Sequence, residues 1–135
     1  MLRSALWYTR RMKSFIDNIE TLTRENTYFR RVLSTSDHSQ LVLMSLKPSE
    51  EIGMETHSDN DQFFRCEAGS GRIIMDGAES EFHDGYAFVI PAGTAHNVIN
   101  ASESEELKLY TIYSPAHHPD GTVHATKEDA MRGEA

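Results

Sequence analysis

Residues 53–69, GMETHSDNDQFFRCEAG, gather side chains of the types that hold metal ions: Glu55 and His57 stand two apart, and Gln62 follows five residues on. In an extended chain side chains alternate between faces, so residues two apart point the same way. A carboxylate and an imidazole so placed offer an anionic oxygen and a neutral nitrogen to one ion, and the Gln62 amide offers a further neutral oxygen. Nitrogen and oxygen donors of this kind accept Fe, Mn, Ni or Zn. By the same alternation Gln62, Phe64 and Cys66 share a face of the next strand. Asp59, Asn60 and Asp61 are expected to form the turn between the two strands.

The elements that must position these groups read as short strands. TYFRRVL and QLVLMSL flank the small polar run STSDHS; QFFRCEA, RIIMDG, ESEFHDG, YAFVIPAG, HNVIN and LKLYTIYSP follow, divided by turn signals. Asp76-Gly77 is a good tight-turn pair. The pattern is that of an all-β sandwich or barrel. Helix signals are confined to the ends, in DNIETLTREN and in Thr126-Lys127-Glu128-Asp129, which reads as the capped start of a terminal helix.

The most specific run is GYAFVIPAGTAHNVIN, with Gly85, Pro91, Gly93, His96 and Asn100 at fixed intervals. It matches the second motif of the cupin superfamily, G(X)5PXG(X)2H(X)3N. Residues 49–69 fit the spacing of the first motif, G(X)5HXH(X)3,4E(X)6G, with Ser49, Glu55, His57, Gln62 and Gly69 at its five positions. Three depart from it: Ser49 replaces a glycine, Glu55 a histidine and Gln62 a glutamate. The longer runs LVLMSLKPSEEIGMETHSDNDQFFR and LKLYTIYSPAHHPDGTVHATKEDA also resemble small single-domain bacterial cupins, and the resemblance covers residues 13–130.

This resemblance implies a cupin double-stranded β-helix, a small jelly-roll-like barrel, with one divalent metal inside and His96 completing the cluster of Glu55, His57 and Gln62. It also implies a homodimer and a small-molecule ligand. The usual cupin set is three imidazoles and one carboxylate. Here two imidazoles, one carboxylate and one amide oxygen remain, so the charge is kept and one nitrogen donor is lost. Two histidines and a carboxylate suffice for a facial site with open positions, as in non-haem Fe(II) oxygenases. A net +1 at the ion favours an anionic oxygen ligand.

Two readings of the cluster stand side by side. It holds a metal, or its buried Glu, Gln and two His satisfy one another by hydrogen bonds, in which case Glu55 needs a raised pKa or a nearby cation. The function divides in the same way. Oxygenase, isomerase or decarboxylase chemistry on a small oxygen-rich anion is one expectation, and a non-catalytic binding module for a small acid or sugar is the other.

Phe64, Cys66 and Tyr113 are the pocket candidates. Cys66 reads either as a soft pocket donor or as a small buried apolar group, and Phe64 equally suits the core. Lys108 is expected to face water, which turns Leu109, Thr111 and Tyr113 inward and Tyr110 outward. His38 and His83 lie in polar turn segments and are expected to be solvated. His117, His118 and His124 follow the last long strand, in a stretch that is either a surface tail or a lid carrying a proton-transfer group.

The chain has 135 residues, 39% hydrophobic and 25% charged, with no apolar run of membrane-spanning length. Residues 1–12 read as an N-terminal extension and 13–135 as one domain, with barrel core 27–113 and tail 114–135. The formal charge of −8 argues against a nucleic acid or an anionic membrane as main partner. Residues 1–35 are locally basic, with seven Lys/Arg against three Asp/Glu, and the rest has six against eighteen. Those basic charges suit a solvated face. The single cysteine forms no internal disulfide, which fits a reducing, cytoplasmic setting.

Overall fold

The computed structural model describes residues 14–133. The extension expected over residues 1–12 lies outside them. A short helix α1 (Ile19–Glu25) precedes β1 (Arg30–Thr35), β2 (Gln40–Leu46), β3 (Asp61–Ala68), β4 (Ser70–Met75), β5 (Ala78–His83), β6 (Ala87–Ile90), β7 (His96–Asn100), β8 (Leu107–Ser114) and β9 (Val123–His124), and α2 (Lys127–Gly133) closes the chain. Both helices start on side-chain caps. Asn18 Oδ1 accepts from Thr21 N–H at 3.0 Å, and Thr126 Oγ1 accepts from Asp129 N–H at 3.0 Å.

Two sheets face each other, a six-stranded one in the order β6-β3-β8-β2-β1-β9 and a three-stranded one in the order β5-β4-β7. Neighbouring strands run antiparallel throughout. This is the cupin double-stranded β-helix. Alternation fills its interior: Val42, Met44 and Leu46 of β2, Phe64 and Cys66 of β3, and Leu107 and Leu109 of β8 meet Ile73, Phe82 and Val98 of the small sheet in a single core cluster. Burial of these apolar faces drives the closure.

Asp76-Gly77 makes the expected tight turn between β4 and β5, both residues at positive φ (48° and 84°), as a type I′ hairpin requires. Gly69 (φ 96°) joins β3 to β4 where the register shifts, and a Cβ there would stand 2.6 Å from the Glu106 carbonyl oxygen. Glycine is needed at that crossing.

The strand expected around Glu55 and His57 is reduced to two isolated bridges, Glu51 to Ile99 and Glu55 to His96. Lys108 also departs from expectation. It sits on the outer face of β8 as parity requires, but it is 9% exposed, and Nζ donates to the Asn26 carbonyl (2.6 Å) and Ser45 Oγ (2.9 Å). The chain at the end of α1 covers it. Among the described residues no helix is long and apolar enough to cross a membrane.

Candidate metal centre

The backbone brings the cluster together through one narrow bridge. Glu55 N–H donates to the His96 carbonyl at 2.8 Å and His96 N–H donates to the Glu55 carbonyl at 2.9 Å, so their side chains leave neighbouring strands side by side. Two residues on, the His57 carbonyl accepts from Gly93 N–H at 2.9 Å, which docks the Pro91-to-Gly93 loop on the His57 segment. Asn100 anchors the far end of β7. Its Nδ2 donates to the carbonyls of Leu46, Lys47 and Glu105 (3.2, 3.0 and 2.9 Å), and its Oδ1 accepts from Ser102 N–H (2.9 Å).

Glu55, His57 and His96 each present one ligand atom, and these atoms lie within 4.8 Å of one another. His96 is 3% exposed, and its Nδ1 lies 2.9 Å from the Thr94 carbonyl oxygen. A carbonyl only accepts, so Nδ1 carries the proton and Nε2 keeps its lone pair for an ion. His57 Nε2 is 3.4 Å from Glu55 Oε1, an ion-pair distance that does not meet hydrogen-bond geometry, and this buried nitrogen has no hydrogen-bond partner. Burial pushes the Glu55 carboxyl up, but the His57 imidazole beside it and, with smaller effect, the Arg30 guanidinium and the His96 ring outweigh burial and hold it below its ordinary value.

Gln62 is buried at 3% and pairs in register with Ile90 on one side and Tyr113 on the other. Thr111 Oγ1 donates to the Phe63 carbonyl at 2.8 Å and therefore accepts from Gln62 Nε2 at 3.1 Å. That fixes the amide, and Gln62 Oε1 is left as a buried acceptor with no hydrogen-bond partner. Gln62 Oε1, a buried acceptor without a hydrogen-bond partner, and His96 Nε2, left with its lone pair, suit a cation better than a self-satisfied hydrogen-bond cluster. The donor set could hold a divalent metal.

The remaining pocket candidates separate. Tyr113, 2% exposed, has its ring 5.9 Å from that of His57. Phe64 stacks on Phe88 at 5.1 Å inside the core. Cys66 is fully buried with Sγ toward the carbonyls of Ala68 and Gly69 (3.6 and 3.7 Å), and burial pushes its thiol up to about 11. His38 and His83 are exposed, as expected.

The stretch after β8 runs along the surface, with Ser114, Pro115, His117, Pro119 and Asp120 exposed, and forms a strap that sets its histidines against the cluster. His117 places its ring 4.3 Å from that of His57 and stacks on Tyr113 at 5.2 Å, while His118 Nε2 lies 3.3 Å from the Tyr113 hydroxyl. Two buried amides hold this strap. Gln40 bonds the backbone of His117 and His118, and Asn60 Nδ2 donates to the carbonyls of Pro115 (2.6 Å) and Ala116 (3.3 Å). Asn60 was expected in an ordinary turn. Arg30, expected among solvated basic charges, is 3% exposed, and its Nη1 lies 3.4 Å from His124 Nδ1. The available signals were Gln40 at the inward parity of QLVLMSL and Arg30 at the parity of Val32.

The family model described as Cupin domain matches residues 42–113, and the chain belongs to the cupin family. It is 49% identical over 112 residues to the uncharacterized protein L612 of Acanthamoeba polyphaga mimivirus, covering 81% of this chain and 70% of that one. It is 46% identical over 128 residues to the uncharacterized protein YrkC of Bacillus subtilis (strain 168), covering 90% and 68%. The crystal structure of BH2720 from Bacillus halodurans superposes with a TM-score of 0.87 at 48% identity, covering 89% of this chain and 95% of that one.

Proposed function

We propose that this cupin binds one divalent ion through Glu55, His57 and His96, with Gln62 as a fourth ligand or as a hydrogen-bonding neighbour of the ion, and acts on a small oxygen-rich anionic metabolite. The observation that carries the reading is the convergence of one ligand atom each from Glu55, His57 and His96 within 4.8 Å of one another, with Gln62 Oε1 a buried acceptor that has no hydrogen-bond partner. When bound, the ion supplies Lewis acidity and polarises a substrate oxygen. The chain supplies the rest. Thr94 fixes the His96 tautomer, Thr111 orients Gln62, and the strap carrying His117 and His118 limits water at the mouth. Oxygenase, isomerase and decarboxylase chemistry all suit such a site. The proposed setting is a cytoplasmic homodimer without a nucleic-acid or membrane partner. The charge of −8 supports the absence of those partners, and exposed Tyr86 and Val89 at edge strand β6 support a contact between copies.

Binding of a small acid or sugar without turnover is the second reading, and His118 favours it. Burial first, then the positive charge of Arg30, His117, His124 and His57, holds this imidazole down at about 3, far from the range where a general acid or base works best.

Metal analysis of protein purified without a metal-affinity column, beside Glu55→Ala and His96→Ala, tests the proposal. Near-stoichiometric Fe, Mn, Ni or Zn that falls in both variants supports it. No metal, and none retained after anaerobic reloading with Fe(II) or with Mn(II), overturns it.

A further inference from the structure

The alternation that fills the barrel also builds the outer face of the six-stranded sheet. Gln62, Phe64 and Cys66 of β3 point inward, so Asp61, Phe63 and Arg65 point outward. Strand register then lines up one apolar row: Val89 of β6 pairs with Phe63 of β3, Phe63 with Ile112 of β8, and Ile112 with Leu41 of β2. Val89 is 57% exposed, and Phe63, Ile112 and Leu41 are half-buried. Tyr110, in the next row, brings its ring to 6.2 Å from that of Phe63. The sheet edges differ in the same sense. β5 ends the small sheet with exposed Glu79 and Glu81, charges that discourage pairing, whereas β6 ends the large sheet with the uncharged run AFVI.

One cation sits within this apolar face. Arg65 pairs in register with Ala87 and Tyr110; its Nε is buried with no hydrogen-bond partner, and its Nη2 stands 3.6 Å from Glu67 Oε1, beyond hydrogen-bond distance. The side chain keeps 39% of its surface exposed, so the guanidinium can take a second carboxylate. Asp61 is exposed two residues to the other side of Phe63, and its Oδ1 accepts from Ala92 N–H at 2.9 Å, which leaves Oδ2 for a cation. A cation and an anion equally spaced about an apolar centre make a patch that is self-complementary under a two-fold rotation.

We propose that this face is the contact between two copies of the chain. The two-fold axis runs across the strands along Val89, Phe63, Ile112 and Leu41, so that Arg65 of each copy meets Asp61 of the other. An axis along β8 is the alternative. It sets β3 over β2 of the second copy and Arg65 over Leu43, which leaves the guanidinium against an apolar side chain. The across-strand axis pairs both charges and stacks the apolar row on itself. The net charge of −8 makes two copies repel at long range, and the paired charges of this face offset that locally. The inference rests on the homodimer reading and adds to it the face, the axis and the ion pair.

Sedimentation equilibrium of the full-length chain measures the dimer dissociation constant for wild type, Asp61→Arg, Arg65→Asp and the double variant. Wild type is expected to dimerise at micromolar concentration. Each single reversal sets like charges opposite each other and is expected to weaken the dimer at least about tenfold, and the double variant, with the pairs reversed, to return close to the wild-type value. A mixture of 13C-labelled and unlabelled wild-type chains gives a second readout, in which isotope-filtered NOEs between copies are expected at the Ile112 and Val89 methyls. If a single reversal does not fold, those NOEs decide alone. A dimer that neither reversal weakens, that the double variant does not restore, or that gives no NOEs between copies at Ile112 and Val89 overturns this inference and leaves a homodimer joined elsewhere. A wild type that stays monomeric at millimolar concentration overturns both.

Discussion

Gln40 holds the His118 backbone on both sides of its Cα: Gln40 Oε1 accepts from His118 N–H at 3.0 Å, and Gln40 Nε2 donates to the His118 carbonyl at 2.8 Å. The same Oε1 accepts from His117 N–H at 3.1 Å, and the same Nε2 donates to Thr35 Oγ1 at 2.9 Å. All four hydrogen-bonding capacities of the amide are therefore in use. A barrel-lining residue that is 1% exposed fixes the segment whose imidazoles cover the candidate metal centre.

Gln40→Leu keeps most of the volume and deletes all four bonds. Two strap N–H groups and one carbonyl lose their partner where water has limited access, which costs about 1–3 kcal/mol. Loss of protection should be local. Amide hydrogen exchange at His117 and His118 is expected to accelerate at least tenfold, with β2 and β8 amides changing only by the global destabilisation. Unchanged exchange at those two amides would show that the strap is held by something else.

Gln62→Glu restores a carboxylate with almost no change of shape. Without metal it buries a carboxylate where the Gln62 amide now stands, and burial opposes its ionisation. With metal the added charge faces a cation. The chelator-treated variant is expected to melt below wild type, while its affinity for Mn(II) or Zn(II), measured by competition with a chromophoric chelator, rises roughly tenfold or more. Weaker metal binding by Gln62→Glu would place Gln62 Oε1 away from the ion.

Much of the barrel is legible in the sequence because alternating apolar residues and turn pairs are local signals. QFFRCEA buries Gln62, Phe64 and Cys66 together, and Asp76-Gly77 turns as its composition demands. Even a departure from the motif has a local explanation: Ser49, at a glycine position, adopts φ 64°, so the turn is kept at some backbone cost. The site is less legible. The strap shows no periodicity, and its position depends on Gln40, 77 and 78 residues before the histidines it holds, and on Asn60, 55 residues before Pro115. Parity placed Lys108 correctly outside, but parity carries no information on what covers a face. In FRRVL two adjacent arginines part company, Arg31 to water and Arg30 to the interior, and only the pairing with Met44 and His124 decides between them.

Cys66 is expected to be nearly inert in the folded protein. With its thiol pushed up to about 11 by burial, only about three molecules in ten thousand carry thiolate at pH 7.5, and the sulfur has no exposed surface. Iodoacetamide labelling followed by mass spectrometry should be more than a hundredfold slower in the native protein than in guanidinium chloride. Rapid native labelling would mean that Cys66 borders an open pocket and rejoins the ligand-contacting residues.

His118 makes stability depend on pH in a direction fixed by its shift. The unfolded chain protonates this imidazole below its ordinary value of 6.5, whereas the folded chain refuses the proton until about pH 3. Between those values the unfolded state binds more protons, so stability falls as pH drops from 6.5 toward 3, and above 6.5 the effect vanishes. His118→Gln cannot take the proton and escapes the penalty. In chelator-treated protein, where the metal ligands titrate alike in both chains, the melting temperature of His118→Gln minus that of wild type should rise between pH 7 and pH 4.5. Allowing for the partial exposure of His118, the effect is on the order of 1 kcal/mol, or about 4 °C for a chain of this size. A difference that stays constant across that range would mean that His118 accepts its proton in the folded state, and the strap would then carry a cation beside Tyr113 and Arg30.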